Sequence, residues 1–235
     1  MCGGENARAR ASRSRGIGPG MKSGRRRLNT DVNDFSISST PVRFPPRTQG
    51  PDGQFLSTFV LAGGCFWCLD AVYQRTRGVS SVISGYTGGW DPAPQYRTVC
   101  GGNTGHAEAV AVTFDPAVVP ADVILDMFFT THDPTTLNRQ GYDVGTQYRS
   151  AMFPLDAAQE ALFRESAGKF AQLYPDPLVT TFEEPADFFV AEGIHQDYYN
   201  RFPSEGYCRV IIDPKLAKAR KYYATWLDEP AADRS

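Results

Sequence analysis

Apolar residues recur along this chain with two different periods, and the switches between them lay out the elements. The run 55–62 (FLSTFVLA) reads as a strand entering the turn Gly63-Gly64. Over 66–77 the spacing becomes helical, with Leu69, Val72 and Tyr73 on one face and Asp70, Gln74 and Arg75 on the other. A strand follows at 80–86 and ends at Gly88-Gly89, and 90–107 is read as turns because of Asp91-Pro92, Pro94, Gly101-Gly102-Asn103 and Gly105. Alternation returns at 108–114, where Val110, Val112 and Phe114 share one side of a strand. Pro120 suits the first turn of a helix that Val123, Ile124, Met127 and Phe128 carry to about His132. A polar loop at 133–145 precedes a strand at 146–153. Asp156 with Gln159 then resembles a capping box opening a helix to about Tyr174. A short strand near 178–183, a helical stretch at 186–202 and a last helix from Pro214 to Trp226 complete the reading. Interleaved strands and helices predict a mixed α/β layer domain, with the chemically interesting residues in the loops between elements.

Composition divides the chain. Residues 1–28 hold eight Lys and Arg against the single acid Glu5, with few apolar side chains, so no packed core is expected there. Residues 29–54 are rich in Pro, Ser and Thr and read as a linker. The expected organisation is therefore a disordered basic leader and linker at 1–54, one working domain at 55–228 and a short tail at 229–235. The whole chain has 24 basic and 26 acidic residues; without the leader, 16 face 25, about −9 for 29–235. A domain that acidic is a poor nucleic-acid binder. No apolar run is long enough for a signal peptide or a membrane span, which points to the cytoplasm, although the Arg- and Ser-rich start also has the composition of an organelle transit peptide. Met21 offers an alternative start. Five unevenly spaced cysteines (2, 65, 68, 100 and 208) suit a reducing compartment and redox thiols better than a disulfide framework.

Gly63-Gly64-Cys65-Phe66-Trp67-Cys68 is the stretch that carries most chemistry. Two glycines let the backbone turn sharply, which puts Cys65 where a helix begins. Unpaired N–H groups and the helix dipole there favour a thiolate, so Cys65 is the candidate nucleophile, with Phe66 and Trp67 as pocket walls. Cys65-x-x-Cys68 also admits a thioredoxin-like dithiol. A metal would need two more ligands, and only Cys100, His106 and Cys208 are at hand without a second paired spacing, so none is expected. Glu108 heads the alternating strand after Thr104-Gly105-His106-Ala107; burial there would raise its pKa and let it donate a proton, whereas His106 suits local turn hydrogen bonds. Tyr148, beside Gln147 and Arg149, and Tyr96, in Pro94-Gln95-Tyr96-Arg97, are candidate neutral donors into a pocket. Cys208 lies in a Gly- and Pro-containing segment whose mobility would bring a second thiol to Cys65.

Seven segments together resemble the peptide methionine sulfoxide reductase A family: Gly64-Cys65-Phe66-Trp67, Gly85-Tyr86-Thr87-Gly88-Gly89, Tyr96-Arg97-Thr98-Val99-Cys100, Thr104-Gly105-His106-Ala107-Glu108, His132-Asp133-Pro134-Thr135, Asn138-Arg139-Gln140-Gly141 and Gly145-Thr146-Gln147-Tyr148-Arg149-Ser150. His195-Gln196-Asp197-Tyr198-Tyr199 and Gly206-Tyr207-Cys208 match as well, so the resemblance runs in order from about 58 to 222. It implies that Cys65 attacks the sulfoxide sulfur, that Phe66 and Trp67 hold the ε-methyl group, and that Glu108, Tyr96 and Tyr148 hydrogen-bond the oxygen with Asp143 in support. It further implies a sulfenic acid on Cys65, resolution to a disulfide, and re-reduction by thioredoxin or a similar dithiol with no bound cofactor. Cys208 is the favoured resolving thiol, and Cys68 the alternative or a relay. Methionine S-sulfoxide, free or in proteins, is the expected substrate and a monomer the expected unit. The fold expected is a single two-layer sandwich, a central mixed sheet with flanking helices around a ferredoxin-like core, carrying long functional loops. The family often has Glu where this chain has Asp70.

Overall fold

The structure, a computed structural model, describes residues 40–228. Its elements are β1 (Arg47–Gln49), β2 (Phe55–Gly63), α1 (Phe66–Tyr73), β3 (Val79–Thr87), α2 (Tyr96–Cys100), β4 (Ala107–Phe114), α3 (Ala121–Thr131), β5 (Arg139–Gln140), β6 (Asp143–Val144), β7 (Ser150–Phe153), α4 (Ala157–Ala171), β8 (Thr181–Phe182), β9 (Phe188–Val190), α5 (Tyr198–Arg201) and α6 (Asp213–Tyr223). Neighbouring strands in the main sheet run β8-β7-β2-β4-β3-β9, and β1 pairs with the first residues of β2. Every pairing is antiparallel except β7 with β8, so the sheet is mixed, as expected.

Alternation decides what each face of the sheet carries. Phe59 and Leu61 of β2 and Val110, Val112 and Phe114 of β4 point to the helices, where they join α1 and α3 residues in one large apolar cluster. Val60 and Ala62, with Ala107, Ala109 and Ala111, point the other way into a shallower cluster of small residues with Phe153 and Phe188. Glu108 has the parity of Val110, so β4 carries its one carboxylate on the helix side.

Three sequence expectations change. The stretch 40–54 is not a bare linker: Val42 exchanges backbone hydrogen bonds with Phe188 (2.7 and 3.1 Å), Phe44 packs edge-on against Phe188, and β1 forms a hairpin with β2. These residues cover the alanine-rich face that would otherwise meet water. The leader proper, up to residue 39 and including Cys2 and Met21, and the tail 229–235 lie outside the described residues. The helical stretch expected at 186–202 is instead β9, a 3-10 turn at Gly193–His195 and the single-turn α5. Phe188-Phe189-Val190 finds a free sheet edge on β3, opposite Gly85, where a Cβ would stand 2.4 Å from the Phe189 carbonyl oxygen. Finally, the turn-rich 90–107 hides the short helix α2, started by a reciprocal cap between Gln95 and Thr98.

Candidate active site

The chain turns from β2 into α1 at Gly64, whose φ of +89° lies in the left-handed region; a Cβ there would also stand 2.4 Å from Cγ of Gln140. Cys65 follows as the residue capping α1 and is 6 % exposed. The first N–H of a helix has no intrahelical acceptor. Here Phe66 N–H donates to Glu108 Oε2 at 3.1 Å, which brings the buried carboxyl of β4 to the helix start beside the sulfur. One turn on, Cys68 donates its backbone N–H to the Cys65 carbonyl at 3.1 Å, and the two thiols are hydrogen-bonded to each other. The Tyr207 hydroxyl reaches Cys65 as well, and it donates to Asp143 Oδ2 at 2.6 Å.

Aromatic rings wall this sulfur. Phe66 stacks on Tyr96 at 6.3 Å and approaches Tyr86 at 5.8 Å. Trp67 stacks face to face on Tyr198 at 3.9 Å, lies over Tyr96 at 5.8 Å and meets the edge of Tyr207 at 5.6 Å. His195 closes the group, 4.1 Å from Tyr96. Tyr148, on a 3-10 turn at Thr146–Tyr148, is buried in the same apolar cluster as Cys65, Phe66 and Tyr86. Its neighbour Gln147 donates to the Cys100 carbonyl at 3.1 Å and so ties that turn to α2.

Electrostatics correct one expectation. Burial pushes the Cys65 thiol well above the ordinary range, and the bond with Cys68 and the nearby Glu108 charge push the same way. Cys68 moves down to about 6, mainly because Cys65 donates to it, with the Lys215 ammonium helping against burial. In the resting pair Cys65 therefore keeps the proton and Cys68 carries the charge. The helix start does not make Cys65 the thiolate because burial outweighs it, and the first N–H of the helix is already engaged by Glu108.

The peptide methionine sulfoxide reductase family model matches residues 57–227. The chain belongs to this family. A peptide methionine sulfoxide reductase MsrA of Pseudarthrobacter chlorophenolicus is 63% identical over 173 residues, 74% of this chain and 99% of that one. The crystal structure of Mxr1 from Saccharomyces cerevisiae in reduced form superposes with a TM-score of 0.61 at 31% identity, covering 69% of this chain and 93% of that one. Methionine sulfoxide reductase A of Corynebacterium diphtheriae superposes with a TM-score of 0.59 at 30% identity, covering 77% and 93%.

Of the residues the sequence singles out, the structure gathers Cys65, Phe66, Trp67, Cys68, Tyr96, Glu108 and Asp143 around one sulfur. Cys208, expected in a mobile segment, lies close enough to Cys68 for the two thiols to interact electrostatically. It is fully buried at the first position of a π-helical stretch, Cys208–Ile212, that runs into α6, and burial raises its thiol to about 11. All four described cysteines are free thiols. Cys100 ends α2, and His106 makes the turn bonds expected of it: Gly89 N–H donates to its Nδ1 at 3.1 Å, and its Nε2 bonds the Asp91 carbonyl at 2.8 Å. Tyr86, Glu192, His195, Tyr198 and Tyr207 belong to the site and were not singled out as site residues from sequence. Their signal was available, since Tyr86, His195, Tyr198 and Tyr207 all fall inside the segments that carry the family resemblance.

Proposed function

We propose that this chain reduces methionine sulfoxide to methionine through Cys65. The observation that carries the reading is the placement of one buried thiol against a carboxyl that can serve its substrate's oxygen and a second thiol that can take its proton, inside an aromatic cage. A sulfoxide oxygen cannot depart as bare oxide; it must gain a proton while sulfur is attacked. Cys65 gives its proton to Cys68 and attacks the sulfoxide sulfur; Glu108, protonated once substrate fills the site, gives its proton to the oxygen and becomes carboxylate, and Tyr96 and Tyr148 orient that oxygen. Oxygen then stays with Cys65 as a sulfenic acid, and methionine leaves two electrons richer. Phe66 and Trp67 grip the methyl group, and a fixed methyl slot with a fixed oxygen site selects one epimer, taken here as S. Asp143 holds the Tyr207 hydroxyl at the sulfur.

A second thiol next displaces water from the sulfenic acid to give a disulfide, which a dithiol such as thioredoxin reduces. Two contacts support Cys68 as the resolver over the Cys208 favoured from sequence. The turn bond of Cys68 to Cys65 holds the two Cα atoms within about 7 Å, near the range a disulfide needs, and its sulfur already touches the nucleophile. Cys208 would follow as the second relay thiol. All groups lie on one chain, which supports a monomer, and the need for a dithiol supports a reducing compartment.

The test is a single turnover without reductant. One methionine released per protein, with a Cys65–Cys68 disulfide found by mass mapping, is the expected result. Oxidation of Cys65 in the absence of sulfoxide, without methionine formation, would identify a general dithiol oxidoreductase instead. Glu108→Gln should slow the sulfoxide step by about 100-fold or more while leaving Cys65 titratable; an unchanged rate removes Glu108 from the chemistry.

A further inference from the structure

Tyr96 opens α2, a helix of five residues set between two turn-rich stretches and paired with no strand. Something outside α2 must fix its phenol to within a fraction of an ångström if that phenol is to meet a sulfoxide oxygen. The structure assigns this task to Glu192, which we propose is a positioning residue for Tyr96. The inference rests on the oxygen-orienting role proposed for Tyr96 above.

Both oxygens of Glu192 are engaged. Oε1 accepts the backbone N–H of Tyr96 at 2.8 Å, and Oε2 accepts the hydroxyl of Tyr86 at 2.8 Å. These are charge-assisted bonds, stronger and more directional than neutral ones. Tyr86 is fully buried on β3 and stands directly opposite Glu108 in the register with β4. The chain of contacts thus runs from the strand pair that holds Glu108, through Tyr86 and the Glu192 carboxylate, to the first residue of α2. One carboxylate ties the strand pair that holds the proton donor to the element that carries the phenol. Two further features lock the clamp. Glu192 caps the 3-10 turn Gly193–His195, and that turn lays His195 against the Tyr96 ring at 4.1 Å, with His195 Nε2 3.9 Å from Glu192 Oε2. The backbone N–H and the ring of Tyr96 are therefore held by two residues of one turn.

Single-turnover rates of four proteins test this: the wild type, Tyr96→Phe, Glu192→Ala and the double variant. Glu192→Ala should lose about tenfold or more, since a misplacement of about 1 Å is enough for a loss of that order. The double variant should be no slower than the slower single one, because Glu192 acts only through the phenol. Alkylation of Cys65 should proceed at the wild-type rate in Glu192→Ala, which a general loosening of the site would not allow. Multiplying losses in the double variant, a wild-type rate for Glu192→Ala, or a changed alkylation rate would each overturn the proposal. If Tyr96→Phe alone keeps full activity, the role of Tyr96 falls and this inference with it; a loss in Tyr96→Phe with multiplying effects sinks only Glu192. Should Glu192→Ala fail to fold, Glu192→Asp takes its place under the same criteria, since it is one methylene too short to reach both partners.

Discussion

A cysteine three residues from the proposed nucleophile holds the negative charge of the resting site. Cys68 sits near 6 because it accepts a hydrogen bond from Cys65 and faces the Lys215 ammonium of α6. An acid whose pKa is lowered is ionised above that value, so the pair should lose its thiolate only as the pH falls through about 6. Ultraviolet titration of protein in which the remaining cysteines are serine should show this midpoint, and Lys215→Met should move it upward by removing the cation. A midpoint near the ordinary thiol value of about 8.5 in the unsubstituted site would refute the assignment. At this scale the sequence spoke clearly wherever neighbours in the chain are also neighbours in space. The double glycine, the cysteine and the two aromatic rings announced themselves because their function depends on one local turn. Glu192 and Tyr207 did not, because their partners lie 96 and 64 residues away. The charge on Cys68 was hidden because which of two neighbouring thiols keeps the proton depends on burial and on Lys215 as well as on their mutual bond.

Helix α1 carries a second buried acid, Asp70, one turn on from Phe66 and Trp67. Its Oδ1 accepts a long bond from Gln74 Nε2 at 3.4 Å, and its Oδ2 has no hydrogen-bond partner among the described residues. Burial first, and the charge of Asp197 second, raise it from 3.8 to about 8. Unfolded, this carboxyl loses its proton above about pH 4; folded, it keeps it to about 8. Between those values the folded chain binds one more proton, so stability is fullest below the window and declines as the pH rises through it. Asp70→Asn should remove that slope, giving thermal midpoints that increasingly exceed the wild type's toward alkaline pH. Parallel curves for the two proteins would show that Asp70 ionises freely. Among the elements, long periodic ones were legible to within a few residues, as with β2, β4 and α4, where Asp156 accepts from Gln159 N–H at 2.8 Å as the cap requires. The segment 186–202 was not. Its apolar residues fit a helix locally, and only the open edge of β3 beside Gly85 makes an extended β9 preferable.

For the molecule as a whole, stability rests on the helix side of the sheet. Phe59, Phe114 and Phe163 pack edge to face, each ring pair with Phe59 at 4.9 Å, and join β2 and β4 to α4. Phe163→Ala should cost about 3–5 kcal/mol, read from urea unfolding, and a loss below about 1 kcal/mol would show that the site collapses to fill the space. The opposite face needs less, being lined by alanines, and is closed by residues 42–44 that sequence composition had assigned to a linker. Composition missed them because a covering segment needs only a few apolar side chains, here Phe44, among many polar ones.

Tyr207 and Cys208 are consecutive residues, the first with its hydroxyl against the catalytic sulfur and the second sealed at the head of the last helix. If Cys208 relays electrons as proposed, the backbone movement that delivers its thiol also carries the Tyr207 phenol. Handing electrons onward and unroofing the reaction chamber would then be one event, the same motion recharging the enzyme and admitting its next guest.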